Sequence, residues 1–131
     1  MSQANIEIAK NCYDAFGRGD IPALLAALAK DVEWITPGDG IPTEGARRGP
    51  AEVGEFFEVV GSTWSFNSFE PREFIASGDT LVVVGRYAGL AKATGKPVAS
   101  DWVMVWKIRD GKVTYFREFT DTLALANALT A

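Results

Sequence analysis

The chain has 131 residues, 47% of them hydrophobic, with 13 basic and 17 acidic side chains and a net charge of −4. It contains no histidine and a single cysteine, Cys12, which excludes a Ser-His-Asp triad, a His-ligated metal and an internal disulfide. The acidic balance runs against nucleic-acid binding, where Lys and Arg cluster, and no apolar run reaches the roughly 18 residues of a membrane span.

Such a length suits one domain over residues 1–131 with a core of its own. The N-terminus has no charged region followed by an apolar stretch, so a cytoplasmic location is expected. No phosphate-binding glycine loop, dinucleotide fingerprint or calcium loop occurs, and no cofactor is expected.

Ile6, Ala9, Tyr13 and Phe16 recur at helical spacing and stop at Gly17 and Gly19, which predicts a first helix. Asp20 reads as an N-cap with Pro22 in the first turn, and Leu24, Leu25 and Leu28 predict a short second helix. A strand is expected at Val32–Thr36, then a loop over Pro37–Gly49 with glycines at 38, 40, 45 and 49. In that loop Arg47 and Arg48 read as two adjacent solvated charges. Pro50 opens a third helix, with Glu52 in its first turn and Val53, Phe56, Phe57 and Val60 on its buried face.

After Gly61 the period becomes strand-like, with expected strands at Trp64–Ala76, Leu81–Lys92, Val98–Arg109 and Lys112–Thr120. Their dividers are turn signals, and Asp110-Gly111 between apolar runs is a strong hairpin signal. Asp121 to Leu129 reads as a terminal helix capped by Asp121. Helices followed by an antiparallel meander imply an α+β fold with helices on one sheet face. Leu81-Val82-Val83-Val84 and Trp102-Val103-Met104-Val105-Trp106 are apolar on both faces, so the outer face needs a cover. A second copy of the sheet supplies one, and a homodimer through the outer face is expected.

Cys12-Tyr13-Asp14-Ala15-Phe16 with Gly19-Asp20, Asp31-Val32-Glu33-Trp34, Arg48-Gly49-Pro50-Ala51-Glu52 with Phe56-Phe57, and Asp110-Gly111-Lys112-Val113 with Arg117-Glu118-Phe119 and Asp121 form a pattern over the whole chain. The pattern resembles the SnoaL-like, ketosteroid isomerase-like branch of the nuclear transport factor 2-like superfamily. The resemblance implies a cone: three N-terminal helices on a strongly curved, mainly antiparallel sheet enclosing an apolar cavity, with a short C-terminal helix. Superfamily members include isomerases, cyclases, hydrolases and non-enzymatic binders, so fold alone does not select a chemistry.

By the same resemblance, the ketosteroid isomerase base position falls near Thr36 and its acid donor near Met104, and neither side chain can serve. Compared with limonene-epoxide hydrolases, Arg86 falls on the arginine, Glu118 on one acid, Ala88 on the other, and Trp34 and Thr36 on the tyrosine and asparagine. If Met104 faces inward, Trp102 and Trp106 line one strand, Val82, Val84, Arg86 and Ala88 a second, and Thr114, Phe116, Glu118 and Thr120 a third. The expected catalytic pair is therefore Glu118, as base or acceptor, oriented by Arg86. Trp34, Thr36, Trp102, Met104, Trp106, Phe116, Tyr13 and Thr120 are the expected lining for a small hydrophobic ligand. Three readings remain at this level: a cofactor-independent enzyme, a non-catalytic binder using the same cavity, and a dimerisation domain with a filled cone.

Overall fold

Helix α1 (Ser2–Arg18) forms around the Ile6, Ala9, Tyr13, Phe16 stripe and ends where Gly19 takes a φ of 74°. The computed structural model describes residues 2–131. Asp20 caps α2 (Ile21–Ala26), its carboxylate accepting from the Ala23 N–H at 3.2 Å. Leu28, expected in that helix, instead opens strand β1 (Leu28–Thr36). The loop expected at 37–49 contains an edge strand, β2 (Gly45–Arg48), too short and polar to show a strand period.

Helix α3 (Gly49–Thr63) starts with Pro50 in its first turn, and Glu52 accepts from the Arg48 N–H at 2.8 Å. Strands β3 (Trp64–Ser77), β4 (Thr80–Ala91), β5 (Pro97–Arg109) and β6 (Lys112–Thr120) form the meander. The β5–β6 hairpin turns on Asp110 (φ 52°) and Gly111 (φ 78°), the two left-handed residues that such a tight turn requires. Helix α4 (Thr122–Leu129) is capped by Asp121, which accepts from the Ala124 N–H at 3.0 Å.

The sheet order is β2-β1-β6-β5-β4-β3, an open mixed sheet whose β1–β6 pair is parallel. Helix α1 packs on β3, α3 on β1 and α4 on β5, all against one α+β core. Strand pairing lines up rows on the concave face. One row runs Phe74, Val83, Met104, Glu118; continuing the β1–β6 register by one residue adds Thr36, whose partner is Gly45. The next runs Ala76, Leu81, Trp106, Phe116, Trp34, Arg47.

Bulges in β3 at Phe66/Ser68 and Pro71/Glu73 bend that strand. No helix among the described residues is long and apolar enough to cross a membrane.

Candidate functional site

Thr36, Met104 and Glu118 of the first row and Trp34, Trp106 and Phe116 of the second form the floor of a cavity of about 80 Å³, roofed by α1 and α3. That space holds several waters or a small ring, so the cone is not filled. Trp34 stacks on Phe116 at 3.8 Å, and Trp106 meets both rings edge-on at 5.8 and 4.9 Å. Phe16, Phe56, Phe57, Phe66 and Phe69 complete an aromatic wall.

Glu118 is the carboxylate on this floor. It is partly buried, and burial pushes its carboxyl from 4.5 up to about 7. Neither a hydrogen bond nor a nearby cation counters that rise. Tyr13 reaches the floor from α1: its hydroxyl donates to Met104 Sδ at 3.1 Å and accepts from Trp106 Nε1 at 2.9 Å. Burial raises the Tyr13 and Tyr87 hydroxyls above the ordinary phenol range, and the Glu118 charge adds to both. Cys12 also lines the cavity, and burial pushes its thiol to about 11, so it is an inert apolar surface there.

The structure brings Tyr13, Trp34, Thr36, Met104, Trp106, Phe116 and Glu118 together around the cavity. Three of the expected site residues, Arg86, Trp102 and Thr120, do not line it. Arg86 is on the outer face, where its guanidinium pairs with Asp101 at 3.1 Å, so it does not orient Glu118. The β4–β5 register sets Val83 against Met104 and Gly85 against Trp102, which turns Val82, Val84, Arg86 and Ala88 outward. A strand apolar on both faces carries no parity signal, and one residue of slip exchanges its faces.

Trp102 is buried behind the lining, stacked on Tyr13 at 5.8 Å. Thr120 points inward but spends its hydroxyl on Tyr87 and Ser100. Thr114, expected inward, lies in the β-bulge opposite Lys107 and Ile108 and bonds the Lys107 carbonyl at 3.2 Å.

Sequence reasoning missed Tyr87, Thr43 and Arg47. Tyr87 and Thr43 line the cavity. Arg47, read as solvated, is half-buried: its Nη1 donates to Thr36 Oγ1 at 2.8 Å and to the Thr43 and Gly45 carbonyls at 2.9 and 3.2 Å. Its guanidinium lies 4.7 Å from the Phe56 ring centre, and burial lowers its pKa. This contact pins the Pro37–Glu44 loop against Thr36. The signal in the sequence was the alternation of Arg47 with exposed Ala46 and Arg48, visible only once β2 is recognised as a strand. Among the described residues no three His, Cys, Asp or Glu side chains converge as a metal-binding group.

Residues 9–116 match the family model for a SnoaL-like domain. An NTF2-like protein from Burkholderia xenovorans LB400 is 40% identical, with 99% of this chain and 98% of that chain covered and a TM-score of 0.91. An NTF2-like protein of unknown function from Burkholderia pseudomallei K96243 is 33% identical over 100% of both chains, also with a TM-score of 0.91. TerC, co-crystallised with polyporic acid, is 31% identical, with 98% of this chain and 99% of that chain covered and a TM-score of 0.87. No curated protein matches the chain. By the family match, the fold and these relatives, the chain belongs to the SnoaL-like family of NTF2-like proteins.

Proposed function

We propose that the protein binds a compact hydrophobic ligand in the cone and transfers a proton through Glu118, as cofactor-independent isomerase-, cyclase- or hydrolase-type chemistry. The supporting observation is an unpaired carboxyl in an aromatic cavity with a pKa raised to about 7. A group that titrates near neutral pH exists in both protonation states at working pH and can give or take a proton. Such chemistry needs a positioned acid or base and a dry site, and asks nothing of a metal or nucleotide. The co-crystallisation of TerC with polyporic acid supports the ligand-binding part of this reading.

The test is a thermal-shift panel of steroids, aromatic polyketide-like lactones, terpene epoxides and small diols, followed by turnover assays on the compounds that bind. A ligand at 100 times its Kd adds about 2.7 kcal/mol of apparent stability. Binding with turnover in wild type and loss of turnover in Glu118→Gln is expected. Binding with equal turnover in both would remove Glu118 from the chemistry. A non-catalytic binder would show the shift without turnover. That second reading draws on Thr36 and Met104, which cannot act as acid or base.

The protein acts in this reading as a cytoplasmic homodimer joined through the outer sheet face. Ile75 and Phe119 are 56% and 47% exposed there, with Val82, Val84, Val103 and Val105 between them. A monomer rarely leaves so continuous an apolar patch in water. Light scattering should give twice the 14.1 kDa chain mass for wild type and the single mass for Phe119→Glu. A wild type that is monomeric at micromolar concentration would sink the dimer.

A further inference from the structure

Among the described residues, two buried side-chain polar atoms have no hydrogen-bond partner: the indole nitrogens of Trp34 and Trp102. They differ in place. Trp102 is packed behind the lining against Tyr13 and Phe69, whereas Trp34 lines the cavity itself.

An indole N–H only donates, so its partner must be an acceptor. Rings surround Trp34: Phe116 lies flat against it, and Phe56, Phe57 and Trp106 stand at 54° to 87° to it. None offers a free lone pair, and a ring face is a weak acceptor. Other donors of the lining are spent within the wall. The Trp106 N–H goes to Tyr13, the Tyr13 hydroxyl to Met104 Sδ and the Thr36 hydroxyl to the Thr43 carbonyl. A donor that is buried from bulk water and unpaired in the protein has lost its hydration with nothing in return. The cavity is where an acceptor for it can come from.

Strand register sets what this donor lies beside. Trp34 faces Phe116, and the same register carried on from Ile35 and Arg117 sets Thr36 against Glu118. Trp34 and Glu118 are thus diagonal neighbours on one face of the sheet. A flat ligand among these rings can set an oxygen against the Trp34 N–H while the atoms next to that oxygen lie toward Glu118.

We propose that Trp34 is a specificity-determining residue whose Nε1–H donates to a ligand's carbonyl oxygen beside Glu118, so that the cavity favours flat aromatic carbonyl compounds over hydrocarbons of the same shape. The inference rests on ligand binding in the cone as proposed above and adds the class of ligand.

Calorimetric titration with acetophenone and α-methylstyrene tests it, since the two have nearly the same shape and one carries C=O where the other carries C=CH₂. The titration is run at pH 8, where Glu118 is largely ionised and only accepts, so that the donor being read is the indole. The two compounds differ in hydrophobicity, so each protein is characterised by its acetophenone-to-α-methylstyrene affinity ratio. Trp34→Phe keeps an aromatic ring against Phe116 and should lower that ratio about 5- to 10-fold, the range of one hydrogen bond. In wild type the Trp34 indole proton resonance should move farther downfield with acetophenone than with α-methylstyrene, a readout that needs no variant. The Trp102 resonance should not distinguish the two.

An equal ratio in wild type and Trp34→Phe would overturn the assignment and leave the binding reading standing, as would a Trp34 indole signal that responds equally to both compounds. If neither compound binds while members of the wider panel do, the ligand class is wrong. No binding of these two or of the panel would overturn both readings.

Discussion

Glu118→Gln should be more stable than wild type at pH 8 by about 3 kcal/mol and no more stable at pH 4.5. The Glu118 carboxyl is raised from 4.5 to about 7 by burial in the folded state. Below pH 4.5 it is protonated both folded and unfolded, and burial costs nothing extra. Between 4.5 and about 7 the folded protein holds the proton more tightly than the unfolded chain, so stability falls as pH rises. Above about 7 the carboxylate is charged in both states and the full cost is present.

A glutamine has nearly the same shape and never ionises, so it removes the cost only where the carboxylate exists. For a domain of this size, about 3 kcal/mol corresponds to a melting-temperature gain of roughly 10 °C. Melting curves of both proteins at half-unit pH steps provide the check. A stability difference that is the same at every pH would mean Glu118 has an ordinary pKa and would remove the main support for its role in proton transfer. The same substitution should lower any proton-transfer turnover by about 10²- to 10⁴-fold. A residue that weakens the fold while serving a reaction is the expected signature of a functional site.

Gly85→Ala should destabilise the protein by about 3 kcal/mol, the upper end for inserting a methyl into a packed core. Gly85 lies on the concave face opposite Trp102, and its φ is not in the left-handed region. Space is what forbids a side chain: a Cβ would sit 2.4 Å from Trp102 Cζ2 and 2.5 Å from the Glu70 carbonyl oxygen. The indole is packed by Tyr13 and Phe69, and the carbonyl is backbone, so neither can withdraw cheaply. Here β3 bulges at Pro71/Glu73 and bends over its neighbour.

Urea unfolding followed by tryptophan fluorescence should show the midpoint falling by roughly 1–2 M. Gly61→Ala is the matched control. It lies in α3 with nothing within 4 Å of its would-be Cβ, and should gain up to about 1 kcal/mol. Equal small effects at both positions would show that the bend at Gly85 yields more readily than the close approaches imply.

The sequence already contained most of the elements. Helical spacing in α1 and α3, the caps at Asp20 and Asp121, and the Asp110-Gly111 turn are local signals, set within a few residues by hydrogen bonding and φ preference. Glu118 could be picked out because the resemblance to limonene-epoxide hydrolases sets it on an acid position and an inward Met104 puts it on the same face as Phe116. The parity of β4 was not legible. Leu81-Val82-Val83-Val84 is apolar on both faces, and only pairing with β5 decides that Tyr87, not Arg86, faces the cavity. Leu28 was misplaced for a similar reason, since its apolar side chain suits the end of a helix as well as the start of a buried strand.

By itself, then, the sequence determined the α+β class, the order of the meander, the absence of imidazole chemistry and the acidic residue worth testing. The tertiary structure decided which groups share a space. It separated Arg86 from Glu118 by the thickness of the sheet, recruited Arg47 to pin a loop that reads as solvent-exposed, and buried Trp102 behind Tyr13. It also buried Glu118 in an apolar cavity, and that burial is what moves its carboxyl to about 7. A pKa of that kind depends on which side chains surround a group and on how little water reaches it, and strand register, a long-range property, sets both.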